Sequence, residues 1–163
     1  LDDSADDLLI GLGSTVGTTP AISIDENLQV KTYGDIVMTG TTPTLTIGDA
    51  GAEDAAIVFD GNAQDFYIAL DDSADDLLIG LGSTVGTTPA IAIDENLLAT
   101  FHGGITMAGT TPTLTIGDAG AEDAKIVFDG NAQDFHIGLD DSADDLVIGL
   151  GSALGTTPAI SIA

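Results

Sequence analysis

"QDFYIALDDSADDLLIGLGSTVG", residues 64–86, holds the reading of the whole chain. Phe66, Ile68 and Leu70 flank Tyr67 and Ala69, and the habit returns in Leu77, Ile79 and Leu81. Alternation with a period of two puts one set of side chains on one face of a strand and the intervening set on the other. Between the two runs, Asp71, Asp72, Asp75 and Asp76 fall within six residues, and a glycine-rich corner closes the stretch. The expected order is strand, acidic turn, strand.

The stretch is one unit of a repeat. Residues 18–86 and 87–155 align without a gap at a period of 69, with 15 positions different and 54 identical. Inside that period lies a weaker one of 23 residues, with units beginning at Thr18, Thr41 and Gln64. Ile22 and Ile24 flank Ser23, Leu45 and Ile47 flank Thr46, and Ile57 and Phe59 follow in the second limb of the Thr41 unit. Gly, Asp, Asn and Pro supply the corners, and helical spacing is absent over any useful length, so the chain reads as all-β.

Each unit is too small to hold a core alone, so stability has to come from neighbouring units or partner chains. Two architectures fit: a β-solenoid whose units are stacked coils, or a trimeric intertwined β-shaft in which three chains wrap a common axis. The expected core is Ile22, Ile24, Leu45, Ile47, Ile57, Phe59, Ile68, Leu70, Leu77 and Ile79. The organisation reads as the end of a partial repeat over 1–17, full repeats over 18–86 and 87–155, and the start of another over 156–163. The chain opens without methionine and in mid-repeat, as an excerpt of a longer protein would.

Composition sets limits on function. The chain of 163 residues carries 27 acidic residues against two lysines and no arginine, a formal charge of -25, yet is 44 % hydrophobic. That apolar content separates it from disordered acidic tails. With no basic surface to neutralise phosphates, it is not a nucleic-acid binder, and no apolar run approaches the roughly 20 residues of a membrane span. Cysteine is absent, so neither a disulfide nor a thiolate metal site supports the fold.

Nine of the 12 acidic residues in 18–86 fall between the eighth and fourteenth positions of their 23-residue units. Units in register would line these carboxylates down one edge. Three readings compete for them. One is a set of solvated turns, where Asp suits the backbone and its charge keeps a β-rod soluble. Another is Ca²⁺ ligation by Asp71, Asp72, Asp75 and Asp76 and their equivalents Asp140, Asp141, Asp144 and Asp145. EF-hand and calcium-binding β-roll spacings are both missing. The third, a carboxylate pair for glycoside hydrolysis, conflicts with a cluster that recurs in every 69-residue period.

GLGSTVG from Gly80 lacks the spacing of a dinucleotide loop and the lysine of a phosphate loop, and reads as a corner between strands. His102 and His136 stand where the other copy has Tyr33 and Tyr67, which suits a packed or displayed ring better than a ligand or general base. No catalytic residue and no cofactor other than Ca²⁺ is expected. Eight of the 15 differences between copies fall in residues 29–39.

The segments "ENLQVKTYGDIVMTGTTPTLTIGD" (26–49) and "IVFDGNAQDFYIALDDSADDLLIGLGSTVGTTPAIAIDENL" (57–97) resemble repeat regions of bacteriophage tail fibre proteins, marine phages above all. The resemblance covers essentially the whole chain. It implies an elongated, usually homotrimeric, extracellular shaft in a virion tail, carrying a host-attachment tip. The partners expected are identical chains, as a homotrimer or filament neighbours, with a host receptor reached only through regions outside this sequence. The alternative is a subunit of a cellular surface filament or repeat adhesin assembled by strand addition.

Overall fold

The computed structural model describes residues 7–11 and 20–163, so most of the partial repeat over 1–17 lies outside the described residues. Twelve strands and no helix are found among them. The first sheet joins β1 (Leu8–Gly11), β2 (Pro20–Ile24) and β3 (Val30–Thr32). The second joins β4 (Ala55–Phe59), β5 (Phe66–Asp71), β6 (Asp76–Leu81), β7 (Pro89–Ile93) and β8 (Ala99–Phe101). The third joins β9 (Ala124–Phe128), β10 (Phe135–Asp140), β11 (Asp145–Leu150) and β12 (Pro158–Ile162). The chain divides into two compact units, Leu1–Gly103 with the first two sheets and Gly104–Ala163 with the third.

Every ladder is antiparallel between strands adjacent in sequence, so each sheet is an open meander. The second sheet spans 55–101 and therefore straddles the boundary at 86/87. Where a repeat is cut is arbitrary in sequence, and here the TTP corner falls inside a sheet.

The alternation expected from sequence is present, but the covered face is the opposite one. Tyr67, Ala69, Leu78 and Ala92 are buried, with Ala56 and Val85 packed against them. Ile57, Phe59, Ile68, Leu70, Leu77 and Ile79, expected as core, lie on the uncovered face, with Phe59 56 % exposed. Leu45 and Ile47 are exposed as well, while Ile22 and Ile24 are half-buried.

The inversion has a steric cause. The covered face carries Ala56, Ala69, Gly80 and Ala92 beside Tyr67 and Leu78, and the loop 82–88 between β6 and β7 folds onto it. A side chain at Gly80 would collide with the Tyr67 ring and come within 2.8 Å of the Thr88 carbonyl. Positive φ at Gly82 (93°) and Gly86 (78°) turns the loop back. Hydrogen bonds from Leu81 N to Thr88 O (3.0 Å) and from Gly82 N to Asp65 O (2.9 Å) hold its start. The loop has only one face to cover. It takes the one with room.

A second departure concerns residues 33–54. A strand was expected around Leu45–Ile47 as the first limb of the Thr41 unit, but neither 33–54, between β3 and β4, nor 102–123, between β8 and β9, forms a strand. The acidic turn itself forms where expected, and Gly48 lies against Ala55 across it. Leu45 and Ile47 then line a groove of about 280 Å³ with Ala55, Ile57, Ile68 and Leu77, without a backbone ladder.

The seating of the loop predicts that Gly80→Ala is destabilising by on the order of 1–3 kcal/mol, as overpacking of a tight site is. Gly103→Ala is the control, since nothing lies within 4 Å of a side chain there. Thermal melts of the two variants should differ by several degrees.

Candidate functional site

The feature that asks for a function is the uncovered face. Ile57, Ile68, Ile79, Ile91 and Phe101 are successive cross-strand partners and form one row. Ala55, Leu70, Leu77, Ile93 and Ala99 form the next row, and Phe59, Phe66 and Leu81 a third. The third sheet repeats the middle row as Ile126, Ile137, Ile148 and Ile160. No position in these rows is charged.

Five strands about 4.8 Å apart, with three rows about 7 Å apart, present on the order of 450 Å² of apolar sheet. A typical monomer's largest apolar patch is roughly 300–600 Å² and is commonly an interaction site. Here such a patch recurs with every sheet.

The differences between the copies fall on the other side. Outside 29–39 there are seven: Ser23/Ala92, Ala56/Lys125, Tyr67/His136, Ala69/Gly138, Leu78/Val147, Thr84/Ala153 and Val85/Leu154. All lie on the covered face or in the loop that covers it. They compensate one another: where Ala69 becomes Gly138, Val85 becomes Leu154, whose Cδ2 would be 2.7 Å from a side chain at Gly138. Across β4, β5, β6 and β7 the uncovered face is identical in both full copies.

The acidic residues stand at one end of the strands. In the second sheet the turns 48–54, 72–75 and 94–97 share that end, because Ala55 pairs with Leu70, Asp71 with Asp76 and Leu77 with Ile93. Nine carboxylates line it: Asp49, Glu53, Asp54, Asp71, Asp72, Asp75, Asp76, Asp94 and Glu95. The acidic edge expected from sequence is thus present, made by hairpin ends rather than by stacked coils.

These carboxylates shape their turns. Asp71 Oδ1 accepts from Ser73 Oγ at 2.7 Å and from Ala74 N at 3.3 Å, and Asp72 N donates to Asp54 Oδ1 at 3.0 Å. Asp75 sits at φ 57°, a left-handed position that Asp tolerates better than most side chains. Asp94 Oδ1 accepts from Asn96 N (2.9 Å) and Leu98 N (2.8 Å), as Asp25 does in the first sheet. The Gln29 amide, more than Lys31 or Asn27, holds Asp25 below the ordinary aspartate value of 3.8. The Gly120 amide and Glu122 do the same for Asp118. Because both values are lowered on folding, these caps stabilise fully above 3.8 and are lost as pH falls through the lower folded values.

Asp140, Asp141, Asp144 and Asp145 repeat the pattern, with Ser142 Oγ 2.7 Å from Asp140 Oδ1 and Asp141 N 3.1 Å from Asp123 Oδ1. Among the described residues, no three His, Cys, Asp or Glu side chains converge in a way that could hold a metal ion. The groups predicted as Ca²⁺ ligands are therefore brought to one edge but not to one point.

His136 is fully buried, with Nδ1 2.9 Å from Gly151 O, and replaces the equally buried Tyr67; His102 is exposed. Lys125 reaches across the covered face to donate to Ser152 O at 2.7 Å. Sequence reasoning missed the packing roles of Tyr67, Gly80 and Val85. The paired differences at 69/138 and 85/154 were the signal that could have located them.

No family model, curated protein or solved structure matches the chain.

Nine carboxylates along one edge predict that salt raises the melting temperature, since at 1 M the screening length falls to about 3 Å. CaCl₂ and NaCl at matched ionic strength should do so equally. A Ca²⁺ increment abolished by Asp71→Asn with Asp72→Asn would instead assign cation binding to this turn.

Proposed function

We propose that the chain is a structural segment of a long β-rich fibre, and that copies of the same chain cover its apolar face. The observation that carries this reading is the charge-free apolar face, whose positions on β4, β5, β6 and β7 are unchanged between repeats while the covered face varies. A surface that only met solvent would not need fixed Ile, Leu and Phe at nearly every uncovered position of four strands. An identical chain supplies the same rows at the same 69-residue spacing, so one alignment engages every sheet together.

The areas suffice. Twelve strands of such sheet amount to roughly 1,000 Å² per chain, against about 800 Å² per partner in a stable interface. The acidic ends supply a polar rim around an apolar centre, the usual anatomy of specific contacts. Of the two architectures read from sequence, the intertwined shaft accords better with open antiparallel meanders than a stack of coils does.

The resemblance to phage tail fibre repeats extends the proposal to an extracellular shaft in a virion tail that carries a host-attachment tip. The role is mechanical: apolar faces bury against neighbours, ladders give stiffness, and acidic turns keep the rod soluble. A cellular surface filament would use the same face and is distinguished by its genomic neighbours.

Sedimentation of the full chain should give an oligomer of defined size at micromolar concentration. Ile68→Asp should raise its dissociation constant by 100-fold or more, since it buries a charge in place of about 2 kcal/mol of apolar contact. Thr84→Asp, in the covering loop, should leave assembly unchanged. A monomer at every accessible concentration would refute the proposal.

A further inference from the structure

Resting on that reading, we infer that residues 36–47 and 105–116 become β-strands only by pairing with the same residues of a neighbouring copy. These segments have strand character without strand partners. TLTI alternates apolar and β-branched polar residues in both, yet no ladder runs along either. Ile36 and Val37 are 74 % and 76 % exposed, which is unusual for a connector that only meets water.

The partner in the same chain is within reach and is not used. The turn at 48–54 brings Leu45 and Ile47 into a groove with Ala55, Ile57, Ile68, Leu70 and Leu77, over the face of the sheet next to β4, with Asp49 N bonded to Glu53 Oε1 at 3.1 Å. The segment nevertheless forms no ladder with β4. Backbone donors and acceptors in a fibre interior have to find partners. Those of a second copy remain.

Charge selects the identical segment as that partner. Residues 36–48 and 105–117 contain no charged side chain, although the chain carries -25 overall. Two copies can therefore align there without apposing carboxylates. The two segments stand 69 residues apart in every copy, so one register satisfies both. Six differences between the repeats fall within 29–35 and only two within 36–47, Val37/Thr106 and Thr39/Ala108, both of which leave the backbone pattern intact.

Hydrogen exchange on the full chain, read peptide by peptide beside sedimentation, tests this. In the oligomer, amides of 36–47 and 105–116 should be protected at least 100-fold, and dilution to monomer should remove that protection. Thr46→Pro with Thr115→Pro, which deletes two ladder donors, should weaken assembly at least tenfold while the monomer's strand signal is unchanged. An oligomer whose 36–47 amides exchange like an unstructured chain overturns this inference alone. Protection that persists in the monomer assigns the pairing to the same chain and overturns it too. A chain that never assembles overturns both this inference and the fibre proposal.

Discussion

Tyr67 fills the space that any side chain at position 80 would need, and the loop 82–88 closes over it. Much else follows from that contact. A sheet has two faces and the chain provides one lid per repeat, so each repeat can finish one face by itself. The finished face is thin, made of alanines, glycines, one ring, Leu78 and one aliphatic side chain from the loop. Apart from Tyr67 and Leu78, most of the large aliphatic and aromatic side chains of these strands point the other way. The fold is complete on one side and unfinished on the other.

The two copies record the same asymmetry. A covered face made within one chain can vary if its members vary together, as Ala69 with Val85 becomes Gly138 with Leu154. Tyr67 can become His136 because a ring-shaped space is kept, with Gly149 opposite it in place of Gly80. A face that met another copy, as proposed for the uncovered one, would be constrained differently, since each change would enter the assembly once for every chain. Ile68 and Ile137, Phe66 and Phe135, and Leu77 and Leu146 are unchanged between repeats.

Alternation in sequence identified strands and turns because a strand's geometry fixes which residues share a face. It did not identify the covered face, because size and hydropathy favour Ile68 over Ala69 wherever the cover comes from. Covering depends on what the loop can reach, and that is set by Gly80, Gly82 and Gly86, not by the strands. The 44–47 segment failed for a related reason: its pattern is that of a strand, but a strand needs a partner as well as a pattern. The acidic edge was legible because Asp serves a similar local purpose in each turn, its carboxylate accepting from groups two to four residues ahead.

Assembly of so acidic a chain turns on a comparison of magnitudes. Burying about 450 Å² of apolar sheet contributes on the order of 11 kcal/mol before the entropy of association is deducted. Sheets packed face to face lie about 10 Å apart, where two unit charges in water repel by roughly 0.4 kcal/mol, and less with physiological screening. Nine carboxylates facing nine repel across every cross pair, which with physiological screening sums to several kcal/mol per sheet. The apolar term wins because the charges stand at the rim and the rows between contain none. In the proposed assembly, ionic strength would therefore control how tightly the copies associate without deciding which face they use.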